Sequence, residues 1–377
     1  MRRFPRVAHR AGRALVLPAF VLVAASACRA SEALPPTAIG AVEVSGDWAF
    51  GCDNIGACEA VSLGGEEEGD APGGLGIALY FADTPGPLRA TLAVLARPVD
   101  EVDSEEAAQM ARPADVASFR VGHKLYHLGD IDEDQGTEEP HLRYLAPPAF
   151  LDALVQARSL ELLDRKGGML GSISARGLGD ALAHVRQVRR EMPAGARVPA
   201  PFAFDQPPPF DSLGETGFSP AMAVAWQQTV GCPELDMDLA ERPLSYQAYP
   251  LEPGVRLVTI SCAPAVIGSG DDPNFYIPVI YDARHGTSEY ARFDMVPGGY
   301  SLGGTLLVPD TWLNDEDGQL RTLGLRRTLG DCGTMMSYVW RRDTREFVLV
   351  HASAMPSCRG AGEFIRTYFR PAEMRPR

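Results

Sequence analysis

Apolar residues along this chain alternate with polar or small ones in short runs, and short strands are the element that alternation predicts most often. Val42, Val44, Trp48 and Phe50 set the pattern, Asp53-Asn54 with Gly56 supplies turn chemistry, and Ala60–Leu63 reads as the returning strand. Leu75–Ala82 and Leu88–Ala96 predict a hairpin, Phe119–Leu128 a strand, and Leu160–Leu163 with Met169–Ser174 two short strands around Gly167-Gly168. Helical spacing occurs in few places. Phe150, Leu151, Leu154 and Val155 form an apolar stripe over Pro148–Arg158, and Leu178, Ala181, Leu182, Val185 and Val188 form another over Gly177–Arg190. Asp103–Ala111 predicts a short helix, with Asp103 as N-cap and Pro113 beyond its end.

Beyond residue 192 the pattern breaks at a proline-dense stretch, Pro193–Pro209, which suits an exposed linker. After it Met222–Thr229 reads as helix. Ser245–Tyr249, Gly254–Cys262, Phe275–Tyr281, Glu289–Asp294, Gly304–Val308 and Gln319–Arg326 read as strands. Gly330–Gly360 reads as a hairpin with strands Thr334–Trp340 and Glu346–Ser353 and a polar turn Arg341–Arg345. The predicted fold is therefore α+β, mostly antiparallel β: two disulfide-stapled β-rich domains, 42–192 with two or three packed helices and 213–377 almost all strand, joined by a Pro-rich linker over 193–212. The 38 Gly and 31 Pro in 377 residues agree with many short elements and turns.

The first residues change the picture from cytosolic to exported. Arg2, Arg3, Arg6, Arg10 and Arg13 precede an apolar run, Ala14–Ala27, that is short for a membrane span. Residues 1–27 read as a signal peptide and 28–41 as a tether. Ala25 and Ala27 suit signal peptidase I; Ala-Ser-Ala-Cys28 suits a lipoprotein peptidase, with Cys28 then lipidated. Loss of residues 1–27 removes five of the 35 basic residues and no acid, leaving 30 against 49 acids and a charge of −19. Such a surface argues against nucleic acid or anionic lipid as partner, and membrane contact is expected only through a lipid on Cys28.

Seven cysteines stand at 28, 52, 58, 232, 262, 332 and 358. With Cys28 acylated, six remain, which allow about fifteen connectivities. Neighbour pairing fits best. Cys52–Cys58 closes a tight loop, Cys232–Cys262 brackets strand-like segments, and a hairpin brings Cys332 and Cys358 together at its base. Zinc is disfavoured, because no pair has C-x-x-C spacing.

Candidate chemistry is sparse. His123 and His127 fall four apart, but in a strand they cannot share one ion. Glu66-Glu67-Glu68 reads as a solvated run. Asp130, Asp132 and Asp134 followed by Gly136 suggest a calcium loop, yet Gly falls at position 7 and His141 at position 12, where an EF-hand needs Gly at 6 and Glu at 12. Arg186, Arg189 and Arg190 suit the dipole at a helix C-terminus. No G-x-S-x-G, P-loop, H-E-x-x-H or S-x-x-K occurs, and His184, His285 and His351 have no assigned role. No catalytic residue, metal ligand or cofactor is expected.

Three groups of residues together resemble one family. They are Trp48, Cys52-Asp53-Asn54 and Cys58; Leu251, Gly254, Leu257 and Cys262; and Gly330-Asp331-Cys332-Gly333, Trp340, Phe347, Leu349, Met355 and Cys358-Arg359-Gly360. The family is domain-of-unknown-function family 1176, exported proteobacterial proteins with six characteristic cysteines. The resemblance runs from about Asp47 to Phe369. The first half, in Trp48–Cys58 and Gly177–Ala183, is similar more distantly to invasion-associated locus B proteins, periplasmic β-rich folds. After that helix the chain has Arg186-Gln187-Val188-Arg189-Arg190 where the family continues with an acidic segment and Gln-Gly-Arg. The resemblance implies a periplasmic location, disulfides and a β-rich fold, and no activity. The expected function is an exported cell-envelope protein, a non-enzymatic binding or structural module whose partner is an unknown envelope protein or ligand. An envelope hydrolase with an unrecognised site, or a metal-dependent module, is the alternative.

Overall fold

The structure, a computed structural model, describes residues 40–64, 74–81, 88–98, 111–127, 143–146, 148–192, 201–208, 217–232, 246–264, 274–294, 300–302, 305–314, 316–327 and 329–375. The signal segment, Cys28, most of the tether, the 66–68 acidic run, most of the 103–111 helix and the 130–139 acidic run lie outside them.

The first half supplies β1 (Val42–Ser45), β2 (Trp48–Cys52), β3 (Cys58–Ser62), β4 (Gly74–Phe81), β5 (Ala90–Arg97), β6 (Ser118–Val121), β7 (Lys124–His127), β8 (Arg143–Ala146), α1 (Pro148–Gln156), β9 (Ser159–Leu163), β10 (Met169–Ser174) and α2 (Leu178–Glu191). Strands β1-β2-β3-β4-β5-β8 form one antiparallel sheet, and β10-β9-β6-β7 a second. The large side chains of the first sheet, among them Trp48, Phe50, Ile77, Leu79 and Leu92, pack with Phe150 and Leu154 of α1 and Leu182 and Val185 of α2. Gly177 caps α2 at φ 93°, and an added Cβ there would lie 1.8 Å from the Ser45 carbonyl oxygen, so only glycine fits. The stretch predicted as one strand over Phe119–Leu128 is a hairpin, because Gly122 takes φ 59° and turns the chain at Gly122-His123.

The second half supplies β11 (Phe202–Asp205), α3 (Pro220–Val230), β12 (Tyr246–Glu252), β13 (Val255–Pro264), β14 (Asn274–Asp282), β15 (Thr287–Tyr290), β16 (Arg292–Phe293), β17 (Tyr300–Leu302), β18 (Thr305–Leu307), β19 (Asp310–Leu313), β20 (Leu320–Leu325), β21 (Gly333–Arg341), β22 (Glu346–Met355), β23 (Ile365–Phe369) and β24 (Ala372–Arg375). The sheet β12-β13-β14-β15 packs α3 on one face. Its other face sends Tyr249, Leu251, Leu257 and Ile280 against Tyr338, Phe347 and Leu349 of the sheet β16-β22-β21-β20-β19, which β23 extends at β22. The proline-dense stretch is not only a linker. Phe202–Asp205 contains no proline, and it pairs in parallel with β24 as a two-stranded ribbon whose Phe204 packs on Val339, Val348 and Val350.

The other face of the first sheet is buried too. Ala49, Val61, Ala78, Ala93 and Leu95 pack against Met355, Ala361, Ile365 and the Cys332–Cys358 bridge. Small residues on that face let β23 approach β2 and β3. Residues Ala38–Arg377 therefore form one compact unit, with a core shared between the two stretches the sequence separates. Polar groups fix the join. Arg359 donates to the Gly46 and Gly64 carbonyls, both at 2.8 Å, and to Asp47 at 2.7 Å, while Asp331 accepts from the Gly360 amide at 2.6 Å and from Arg327. Burial would raise the Asp47 carboxyl, but hydrogen bonds from Arg176, Ser174 and Arg359 bring it down to about 2.

Candidate functional site

All three disulfides pair neighbours in sequence. Cα–Cα separations are 4.0 Å for Cys52–Cys58, 5.3 Å for Cys232–Cys262 and 4.8 Å for Cys332–Cys358. The first one does more than close a turn. Asp53 accepts from the Ile55 and Ala57 amides, which fixes the loop, and the loop presents Asn54 to β23. Asn54 donates to the Phe369 carbonyl at 3.0 Å and accepts from the Phe369 amide at 2.6 Å, taking both backbone groups of that residue. Phe369 is also the cross-strand partner of His351.

His351 is placed by two β-bulges. The β21–β22 register slips just beyond Ser337, its partner there, and the β22–β23 register slips between Ala352 and Ser353. Bulges re-aim side chains, and here the imidazole opens into a cleft of about 530 Å³. The cleft lies between the start of β24, the β20–β21 edge and β22, and Ser337, Arg321 and Arg370 line it together with His351. Arg321 pairs with Asp317 at 2.6 Å, and Arg370 lies over the Phe202 ring of the ribbon, 4.9 Å from its centroid. Burial, with the nearby Arg366 and Arg321 guanidinium groups, brings His351 down to about 4, so the imidazole is neutral at pH 7.

On the far side of the same ribbon lies a cleft of about 690 Å³. Trp340 donates to Glu252 at 3.0 Å there, and Arg342 pairs with the other Glu252 oxygen at 2.9 Å. Its acids Asp205, Glu252 and Asp343 are matched by Arg341, Arg342 and Arg375, so it carries no net charge.

The other histidines among the described residues fall elsewhere. His184 sits 3.6 Å from Glu43 and packs on Phe50, and His285 lies 3.1 Å from Asp282. His123 is in the β6–β7 turn and His127 at the end of β7. Among the described residues no group of three His, Cys, Asp or Glu is placed to hold a metal. Sequence reading left His351 as a histidine in an apolar strand. The approach of Arg321 and Arg370 from 30 residues before it and 19 after has no local signature.

A second titrating group lies behind β23. Glu59 accepts from the Arg366 amide at 2.9 Å, but the Arg366 side chain is engaged by Asp53 at 2.7 Å. Burial, with the charges of Glu363 and Asp53 nearby, raises Glu59 to about 7. Between about pH 4.5 and 7 the folded chain thus holds a proton that the unfolded chain has released, so this group costs stability as pH rises through that window. His351 acts in the opposite sense. The unfolded chain takes up a proton below about pH 6.5 that the folded imidazole refuses until about 4, so stability falls on acidification. We expect Glu59→Gln, which keeps the acceptor for Arg366, to raise stability above pH 7 by at most about 3 kcal/mol and to change nothing near pH 4. Thermal melts at both pH values check this, and an equal shift at both would remove the titration from the account.

Residues 183–369 match the family described as "Protein of unknown function (DUF1176)". That match begins later than Asp47, where the resemblance read from residues begins. No curated protein matches the chain. A solved structure described as invasion associated protein b from Bartonella henselae is similar at 13% identity and a TM-score of 0.28, covering 40% of this chain and 99% of its own.

Proposed function

We propose that this chain, a DUF1176 protein over residues 183–369, is an exported cell-envelope binding module. The observation that carries the reading is the pairing of all six cysteines of the described fold, which a reducing cytosol would not preserve. The basic and apolar start of the chain supports export, and Cys28 is left over for a lipid. The module is non-enzymatic and binds its partner or small ligand through the His351 cleft. A hydrolase is the second reading, because Ser337 and His351 share that cleft. An imidazole that titrates near 4 is a poor base at neutral pH, which favours binding.

Intact mass of the mature protein purified from the envelope tests the reading. A diacylglycerol and N-acyl adduct on a chain starting at Cys28 is the expected result, two acyl signals being enough for stable anchoring. An unmodified chain with another N-terminus would remove the lipid and leave a soluble periplasmic protein. Retention in the cytoplasm with free thiols would remove export altogether.

A further inference from the structure

We propose that the His351 cleft takes an apolar carboxylate, its anionic end against His351 and Arg321 and its hydrocarbon against Met335, Val350 and Phe369. This rests on the reading of the cleft as the binding site and names its ligand class. Three observations carry it. First, the lining holds Arg321 and Arg370 against one carboxylate, Asp317, in a chain whose formal charge is −14. Asp317 is committed locally, accepting from the Gln319 amide at 3.0 Å and from Arg321. The cleft is thus a local cationic spot, unlike the balanced one across the ribbon. Second, Met335, Val350, Phe369, Pro371 and Ala372 give the wall a hydrocarbon part beside the polar Gln319 and Ser337, and a bare inorganic anion would leave that part uncovered. Third, the bulges on both sides of His351 place its side chain in the wall of this space from between the apolar residues Val350 and Ala352.

A proton follows the ligand. The charged groups around the imidazole are Arg321 and Asp317 from the β20 side and Arg366 and Arg370 from the β23 side, and Ser337 on β21 adds a hydroxyl. Burial and, after it, these cations hold the ring neutral; a bound carboxylate offsets the cationic part, so His351 takes up a proton as the ligand binds. By reciprocity the affinity rises on acidification.

The test follows the His351 ring by NMR in the purified protein, assigned by the signal lost in His351→Gln, with hexanoate, hexanamide and inorganic phosphate as probes. Hexanoate is expected to bind and to raise the His351 midpoint by about two units, with affinity rising about fourfold from pH 7.5 to 5.5. His351→Gln weakens hexanoate binding and loses its pH dependence, and Arg321→Gln weakens hexanoate several-fold without affecting hexanamide. Hexanamide binding as tightly as hexanoate overturns the anionic end, and phosphate binding as tightly overturns the apolar body. Either result leaves the cleft as the site with another ligand class. A His351 signal that none of the three moves overturns the cleft itself, while the export reading stands or falls on the mass measurement alone.

Discussion

Replacing Cys332 and Cys358 together by Ser is expected to destabilise the whole of Ala38–Arg377 in one transition, by about 3.5 kcal/mol. The size follows from closing a loop of 26 residues, which removes roughly that much entropy from the unfolded chain. That is a large share of the ~5–15 kcal/mol that holds an ordinary domain. The breadth follows from where the bridge sits. Cys332 is fully buried, and both sulfurs pack in the cluster that joins Ala49, Ala78, Ala93 and Leu95 to Met355, Ala361 and Ile365. Loosening the hairpin base uncovers one face of the first sheet, so the two stretches the sequence divides at the prolines melt together. The single change Cys332→Ser should do worse than the double, since it leaves Cys358 free to mispair in an oxidising compartment. Calorimetry of the three proteins, after peptide mapping without reduction, decides it. A second transition at the original temperature, carried by 42–192, would restore two independent domains.

What the sequence shows and what it hides follow from the range of each interaction. The cysteine frame, the three α-helices of the described residues and most hairpins depend on near neighbours and were legible. In β2 the run Trp48-Ala49-Phe50-Gly51-Cys52 alternates large with small, and both kinds are buried. Read as strand alternation it predicts one packed face; the small residues signal a second, closely approached one. Ala78 and Ala93 repeat the signal in β4 and β5. The ribbon of β11 and β24 joins residues about 170 apart, and parallel pairing over such a distance leaves no local mark beyond two phenylalanines among prolines. The His351 cleft was hidden for the same reason. Bulges shift a register without altering composition, and the cations arrive from different strands. The Asp130–Glu139 run lies outside the described residues.

The motifs Gly330-Asp331-Cys332-Gly333 and Cys358-Arg359-Gly360 also gain a physical meaning. Gly333, at φ 141°, lies so close to Gly324 that an added Cβ would come 2.2 Å from its carbonyl oxygen. Asp331 receives the Gly360 amide, which holds the two motifs together beyond the sulfur bridge. These residues build the join between sheets and take no part in either cleft, so their chemistry is structural.

Arg359→Ala is the sharpest test of that join, with an expected loss of about 3–5 kcal/mol, the range for breaking a buried ionic pair. The guanidinium is about 10% exposed and serves the Gly46 and Gly64 carbonyls as well as Asp47. Its removal leaves two carbonyls without that donor and opens a gap beside the Gly64–Arg359 backbone bond. Asp47 is less exposed to the change, because Arg176 still holds it at 2.9 Å. Arg359→Lys should recover little, since one ammonium cannot replace a planar fork reaching three oxygens on two turns of the chain. The effect should reach the first sheet. Trp48 lies next to Asp47 and donates to the Ser174 carbonyl at 2.9 Å, so its indole N–H resonance in denaturant, told from those of Trp226, Trp312 and Trp340 by the signal lost in Trp48→Phe, should report the same midpoint as far-UV circular dichroism. A loss under about 1 kcal/mol would show that apolar packing on the small-residue face suffices to hold the halves together. A Trp48 midpoint unchanged while the remaining signal shifts would show that the first sheet folds without the hairpin base.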